Sequence, residues 1–170
     1  QVAGGAFQQG ITPIAMMAAP SFNDSFVREG FALAPLFTSG SMYVTAFTQP
    51  YEANTPGHAA MRATFDAVGQ ATGNLFVTAG WTSQYHLKDV LQAAIKGGDI
   101  TRAGIRRAAA NVNVSSDQMM PTKNLGQEGG QTETYVGVPT ADNLSGINTL
   151  AWPYTGPTAA AKDWSAGPCS

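Results

Sequence analysis

Apolar and polar positions follow a helical period most clearly between Trp81 and Val112. There Leu87, Val90, Leu91, Ala94 and Ile95 fall at i, i+3, i+4, i+7 and i+8, which puts them on one face of an α-helix. The small residues just upstream predict a loop, so Tyr85 is expected at the start of that helix. Gly97 and Gly98 stand where a left-handed C-cap is wanted. Thr101 is placed to cap a second helix running to Val112. The pattern therefore predicts a packed helix pair split by Gly-Gly-Asp.

The rest of the chain shows strand and helix patterns in turn. Residues 1–10 read as a helix end closing on Gly10. Ile14 to Ala18 is a short apolar run between Pro13 and Pro20, the look of a buried parallel strand. Ser21 or Asn23 can cap a short helix with Phe22, Phe26 and Val27 on its apolar side. Leu33 to Phe37, interrupted by Pro35, fits a strand edge or a loop. Met42 to Thr48 is rich in β-branched and aromatic residues and predicts a strand. Asn54 or Thr55 then caps a helix with Pro56 just inside it, whose buried side is marked by Met61, Phe65 and Val68 and which ends by Gly73. After Asn113 the helical period stops. Two strands are expected, Thr134 to Val138 and Asn148 to Trp152, followed by a Pro-, Gly- and Ala-rich tail. Strand–helix alternation argues for an α/β fold with a parallel sheet flanked by helices. The run of helices after the second strand is what a chain leaving one sheet for another would show.

Composition narrows the classes. The chain has 170 residues, enough for a sizeable core, and 12% charged residues, about half the usual share. Its surface is dressed with Ser, Thr, Asn, Gln and Gly, which suits an exported protein. The net charge is −2 and the nine Lys and Arg are scattered. Without a basic stripe, nucleic-acid binding by counterion release has no footprint. The apolar runs fall far short of the ~20 residues that span a bilayer. The opening residues read as the end of a helix, so the chain is expected to be the C-terminal piece of a longer protein. The single cysteine, Cys169, cannot form an internal disulfide. It either pairs with another segment or chain or stays a free thiol on the tail.

Four pieces, in order, resemble a known family. They are the strand and small residues of PIAMMAAPSFNDSFV, the short strand of GSMYVTAFTQPY after a Gly break, the Pro-Gly-led helix PGHAAMRATFDAV followed by the Tyr-bearing SQYHLKDVLQAAIKGGD, and ITRAGIRRAAANV followed by GGQTETYVGV. Together they resemble the C-terminal half of a type I periplasmic solute-binding protein of the branched-chain amino-acid class that serves ABC importers. The resemblance covers most of residues 1–140. It implies parts of two Rossmann-like lobes: residues 1–45 in the C-terminal lobe, 46–112 in the N-terminal lobe after a crossover, and 113–170 returning to the C-terminal lobe with an irregular tail. Thr45, Ala46, Phe47, Thr48 and Gln49 would form the hinge strand. Ala18, Ala19, Ser21 and Phe22 would line one wall of the ligand cleft, with Phe22 as a stacking partner, and Tyr85 would face the cleft from its helix. In amino-acid binders of the family a glutamate in the first wall holds the ligand's ammonium group; Ala19 stands there. The resemblance implies a branched-chain amino acid-like ligand if another segment supplies the charge, and otherwise an apolar or aromatic carboxylate, an amide or a similar small molecule. His86 stands where the family often has an acidic residue. The implied partners are the ligand, the N-terminal half of the same protein and a membrane ABC permease, with no cofactor and no metal, and the implied location is the periplasm or, as a lipoprotein, the cell surface.

The residues offer no catalytic constellation. His58 and His86 are the only histidines and are expected in solvent or at a helix N-terminus. No GxSxG elbow, Walker loop or GxGxxG turn is present. Asp66, Asp89 and Asp99 fit solvated helix faces, and Arg102, Arg106 and Arg107 a basic helix edge. An α/β enzyme with its catalytic residues in an N-terminal segment, or a ligand-sensing regulator of the same fold, are the alternatives to a binding receptor.

Overall fold

The computed structural model describes residues 2–69, 73–126 and 132–163. After helix α1 (Val2–Gln8) come strand β1 (Ala15–Ala18), 3₁₀ turns at Ala19–Ser21 and Asp24–Val27, helix α2 (Ala34–Phe37) and strand β2 (Met42–Ala46). Helices α3 (Pro56–Ala67), α4 (Leu75–Lys96) and α5 (Arg102–Ala109) follow. The chain ends with strands β3 (Asn113–Val114), β4 (Lys123–Asn124), β5 (Thr134–Pro139) and β6 (Ile147–Tyr154) and helix α6 (Pro157–Ala161). The main sheet has the order β1-β2-β5-β6. β1 and β2 form the expected parallel pair, with Met17 opposite Val44, but β1 is an edge strand and not the buried one expected, with Met16 exposed, and β5 and β6 extend the sheet antiparallel. The long helical excursion between β2 and β5 brings the chain back antiparallel. β3 and β4 pair separately.

Two hydrophobic clusters hold these elements. The first lies under one face of the sheet, where Met42, Val44 and Ala46 point inward at strand period against Phe22, Val27, Leu36, Phe37, Tyr135 and Ile147. The second gathers Tyr51, Met61, Tyr85 and Met119, with Phe65, Val77 and Trp81 packed on it. Helix α4 reaches both, because Leu75 at its start is buried in the first cluster.

Several expectations change. The segment upstream of Tyr85 is helical, and α4 runs unbroken for 22 residues from its Asn74 cap, so Tyr85 sits mid-helix. The small polar residues continue the helix because Thr78 and Thr82 turn their hydroxyls back to the carbonyls of Asn74 and Thr78, at 3.3 and 2.8 Å. The predicted apolar face is only half buried: Val90 and Ala94 are inside, while Leu87 and Ile95 are exposed. Leu33 to Phe37 forms a short helix, with Pro35 in the first turn where it costs no hydrogen bond. The helix after Phe22 shrinks to the 3₁₀ turn Asp24–Val27, capped by Asn23. Val68 falls just past the end of α3 and is exposed. The predicted caps hold at Thr55 and Thr101, and Gly98 takes the left-handed conformation that ends α4. Cys169 and the GQEGGQ loop, apart from Gly126, lie outside the described residues.

Among the described residues, large apolar side chains stand exposed together on two faces. Ile14, Met16, Leu150 and Tyr154 stand on the sheet face opposite the first cluster, around a hollow of about 450 Å³. Phe76, Leu87 and Ile95 stand on the outer side of α4. Among the described residues no helix is long and apolar enough to cross a membrane.

Candidate functional site

The expected wall after β1 divides in two. Ala18 and Ser21 are exposed and Ala19 is half-buried in the first 3₁₀ turn. Phe22, expected to stack on a ligand, is instead 2% exposed. Its ring packs against Phe26 and Phe37 at centroid distances of 6.1 and 6.5 Å. The 3₁₀ turn swings it under the sheet, and a core ring offers no face to a ligand. Of this wall, Ala18, Ala19 and Ser21 are left to meet one.

Tyr85 belongs to the second cluster. Trp81, Gln84, Tyr85 and Lys88, at i, i+3, i+4 and i+7, share one face of α4 and line a hollow of about 260 Å³. The Lys88 ammonium lies 5.0 Å from the centre of the Tyr85 ring, in cation–π range. Burial raises the Tyr85 hydroxyl above its ordinary pKa, the Trp81 side chain opposes this and the nearby Asp117 carboxylate adds to it, so the phenol stays protonated. The face offers rings to an apolar body, and an ammonium, a phenol and an amide to polar groups. The sequence named Tyr85 alone; the helical spacing of Trp81, Gln84 and Lys88 around it was the signal for the rest.

The expected hinge residues split about Phe47. Thr45 and Ala46 belong to β2, paired with Val136 and Tyr135 of β5. Thr134 Oγ1 also donates to the Ala46 carbonyl at 2.8 Å, tying the returning chain to the departing one. Thr48 and Gln49 are held on the other side. Thr48 Oγ1 donates to the Met119 carbonyl at 3.0 Å and lies 3.3 Å from Thr82 Oγ1. The Gln49 amide donates to the same Met119 carbonyl at 3.1 Å, and Gln49 Nε2 donates to Gln118 O at 3.2 Å.

The receiving turn is unusual. Ser116, Asp117 and Gln118 all have positive φ, at 51°, 48° and 69°. Left-handed backbone in a non-glycine residue costs about 1 kcal/mol or more each. The surroundings hold it there: Ser116 Oγ donates to Thr82 O at 3.2 Å, and the Gly57 amide donates to Asp117 O at 3.1 Å. Gly57 permits this approach, since a Cβ there would lie 2.5 Å from Met119 Cγ and 2.8 Å from Ser116 O. This turn carries no glycine of its own, so no local signal marks its left-handed backbone. A hollow of about 410 Å³ opens beside it, lined by Gln118 and Met120 on one side and by Glu133 and Trp152 on the other.

His58 takes the expected place at a helix N-terminus but is buried there, and His86 lies within α4. His58 is fully buried in the first turn of α3, with Nδ1 2.8 Å from Thr55 Oγ1 and Nε2 without a hydrogen-bond partner among the described residues. Burial lowers its pKa to about 4, so the ring is neutral at pH 7. It is buried because the helix start is pressed against the left-handed turn; the Gln49 and Pro50 backbone opposes the lowering without cancelling it. His86 is half-buried with Nε2 2.9 Å from Met120 Sδ, and burial lowers its pKa too. Among the described residues no three His, Cys, Asp or Glu gather as metal ligands. Asp99 accepts from the Thr101 amide and hydroxyl at 2.9 and 2.6 Å and pairs with Arg107, so these charges serve the α4–α5 corner.

No family model matches the sequence, and no curated protein matches it significantly. Among solved structures, the chain is similar to a fatty acid ABC transporter substrate-binding protein from Thermomonospora curvata. The TM-score is 0.80 at 16% identity, over 96% of this chain and 42% of that one. It is also similar to a branched-chain amino acid ABC transporter from Thermus thermophilus with bound valine. There the TM-score is 0.66 at 13% identity, over 93% of this chain and 43% of the other. The chain spans less than half the length of either. What it shares with them is the fold, α/β of the type I periplasmic-binding-protein kind.

Proposed function

We propose that this chain is part of an exported solute receptor that captures a small molecule between two lobes and hands it to a membrane ABC permease, making and breaking no bond. The single observation that carries this is the hollow on α4, with Trp81, Gln84, Tyr85 and Lys88 converging on it, on the second cluster and across the Phe47 crossover from the first. Mostly apolar hollows with a few placed polar groups are the usual build of small-molecule sites. Ala18, Ala19 and Ser21 supply the opposite wall, and the segment about Phe47 lets the lobes close over ligand. The ligand is an apolar or aromatic carboxylate, its carboxylate reaching Lys88. Ala19 offers no charge to an ammonium group, and a buried unpaired ammonium is costly. The two uncovered apolar faces are the seats of the N-terminal half of the same protein.

Calorimetric titration of the chain with octanoate, benzoate, benzamide and valine tests this. Octanoate or benzoate is expected to bind, valine not to, and Tyr85→Ala and Lys88→Ala each to weaken binding about tenfold. Binding of valine alone would overturn the ligand class. A folded chain that binds none of the four would overturn the role of this face.

A further inference from the structure

The turn between β5 and β6 is built to receive two charged side chains from distant parts of the chain. Its backbone closes through Thr140 N to Gly146 O at 2.8 Å and Gly146 N to Asn143 O at 3.0 Å. Arg28, just beyond the Asp24–Val27 turn, donates to the carbonyls of Ala141, Asn143 and Leu144 at 2.8, 2.9 and 2.7 Å. Gly146 has a φ of +74°, and a Cβ there would come within 3.0 Å of Asp24 Cα. The turn is thus seated on the first cluster from two sides, and Ser145 within it is 1% exposed.

The second charge is Glu52. Its Oε1 accepts from the Ser145 amide at 2.7 Å and its Oε2 from Ser145 Oγ at 2.6 Å. Glu52 is itself anchored to the second cluster. Tyr51 is buried there, and Arg62 of α3 donates from one nitrogen to the carbonyls on either side of Glu52, Tyr51 O at 2.8 Å and Ala53 O at 2.9 Å. A residue pinned to one cluster by an arginine thus holds a residue pinned to the other by a second arginine. Both bonds of the join are charge-assisted and short, the strong kind.

We infer that the Glu52–Ser145 contact is a catch that sets how the two clusters lie relative to each other about the Phe47 crossover. Neither partner can follow the other's cluster, because Arg62 holds one and Arg28 the other. Any rotation between the clusters therefore has to break both hydrogen bonds of the pair. In a receptor that closes on ligand, such a catch biases the open–closed balance from outside the ligand site. The inference rests on the two-cluster part of the proposed function and not on its ligand.

The test uses the full chain without any ligand, so a failed titration leaves it untouched. Spin labels are placed at Ala63→Cys on α3 and Asn148→Cys on β6, both exposed positions, in a Cys169→Ser background, and the interlabel distance distribution is measured. The parent is expected to give one narrow distribution. Glu52→Ala should broaden it and shift its mean. Ser145→Ala, which keeps the amide bond, should broaden it less. Amide exchange at Ser145 should rise about tenfold or more in Glu52→Ala, as expected for loss of a hydrogen bond to a charged acceptor. Distributions with the parent's width and mean in folded Glu52→Ala would overturn the catch. Should that variant fail to fold, Glu52→Gln and Ser145→Ala decide: unchanged distributions in both overturn it, and broadening in either supports it.

Discussion

Beneath the sheet, Phe22, Phe26, Phe31 and Phe37 pack ring on ring, with Phe26 stacked on Phe31 at 5.1 Å between centroids. Around the middle of α4, by contrast, the interior includes Thr48, His58, Thr78, Thr82 and Ser116, all buried. The first region is held by area removed from water, which tolerates rearrangement of shape more than loss of volume. The second is held as much by directed bonds, the Thr48–Met119, Thr82–Thr78 and Ser116–Thr82 contacts, which fix one geometry and leave polar atoms stranded when it is lost. A region that must hold a crossover and a left-handed turn in place gains from bonds that have only one solution. The aromatic region serves as the base against which that geometry is set.

Three changes would break or sharpen this contrast. The largest effect is expected from Phe22→Ala, which should cost about 3–5 kcal/mol in chemical denaturation by emptying the aromatic cluster. Stability close to the parent's would return Phe22 to the ligand wall. Next is acid. His58 has a folded pKa of about 4, below its ordinary 6.5. The unfolded chain therefore binds more protons between these values, and stability is complete above about pH 6.5 and lost as pH falls toward 4. The loss by pH 4 is about 3 kcal/mol, to order of magnitude. Melting curves across this range should show it, and His58→Gln should flatten the dependence. The smallest is Thr82→Val, which keeps the shape and removes the hydroxyl shared among Thr78, Thr48 and Met119. It should cost about 1 kcal/mol, with faster amide exchange at Gln49 and Met119. No change in exchange there would make the polar seam incidental to the crossover.

Local chemistry made much of the fold readable. Thr55 and Thr101 cap because a hydroxyl before a helical run satisfies an amide left unpaired. β1, β2, β5 and β6 lie where apolar, β-branched and aromatic residues cluster between Pro and Gly breaks. The candidate site was readable only in part. Tyr85 lines a hollow on α4 and Ala18 and Ser21 are exposed, but nothing local told that Phe22 turns inward. The start of α4 is not legible locally, because threonines and serines weigh against a helix until their hydroxyls find carbonyls one turn back. The left-handed Ser116–Gln118 turn announced itself by no glycine, since what holds it is Gly57, Thr82 and Gln49 from elsewhere in the chain.

What the sequence by itself determined was therefore the four strands of the main sheet, the helices α3 and α5 and the later part of α4, their order and the alternation that makes the protein α/β. Those follow from propensities and periods that act over a few residues. Only the tertiary structure decided which apolar faces are covered, that His58 is buried and neutral, and that Glu52 meets Ser145 across 93 positions of chain. Burial and long-range hydrogen bonds depend on where the chain returns in space. A local pattern carries no term for that distance.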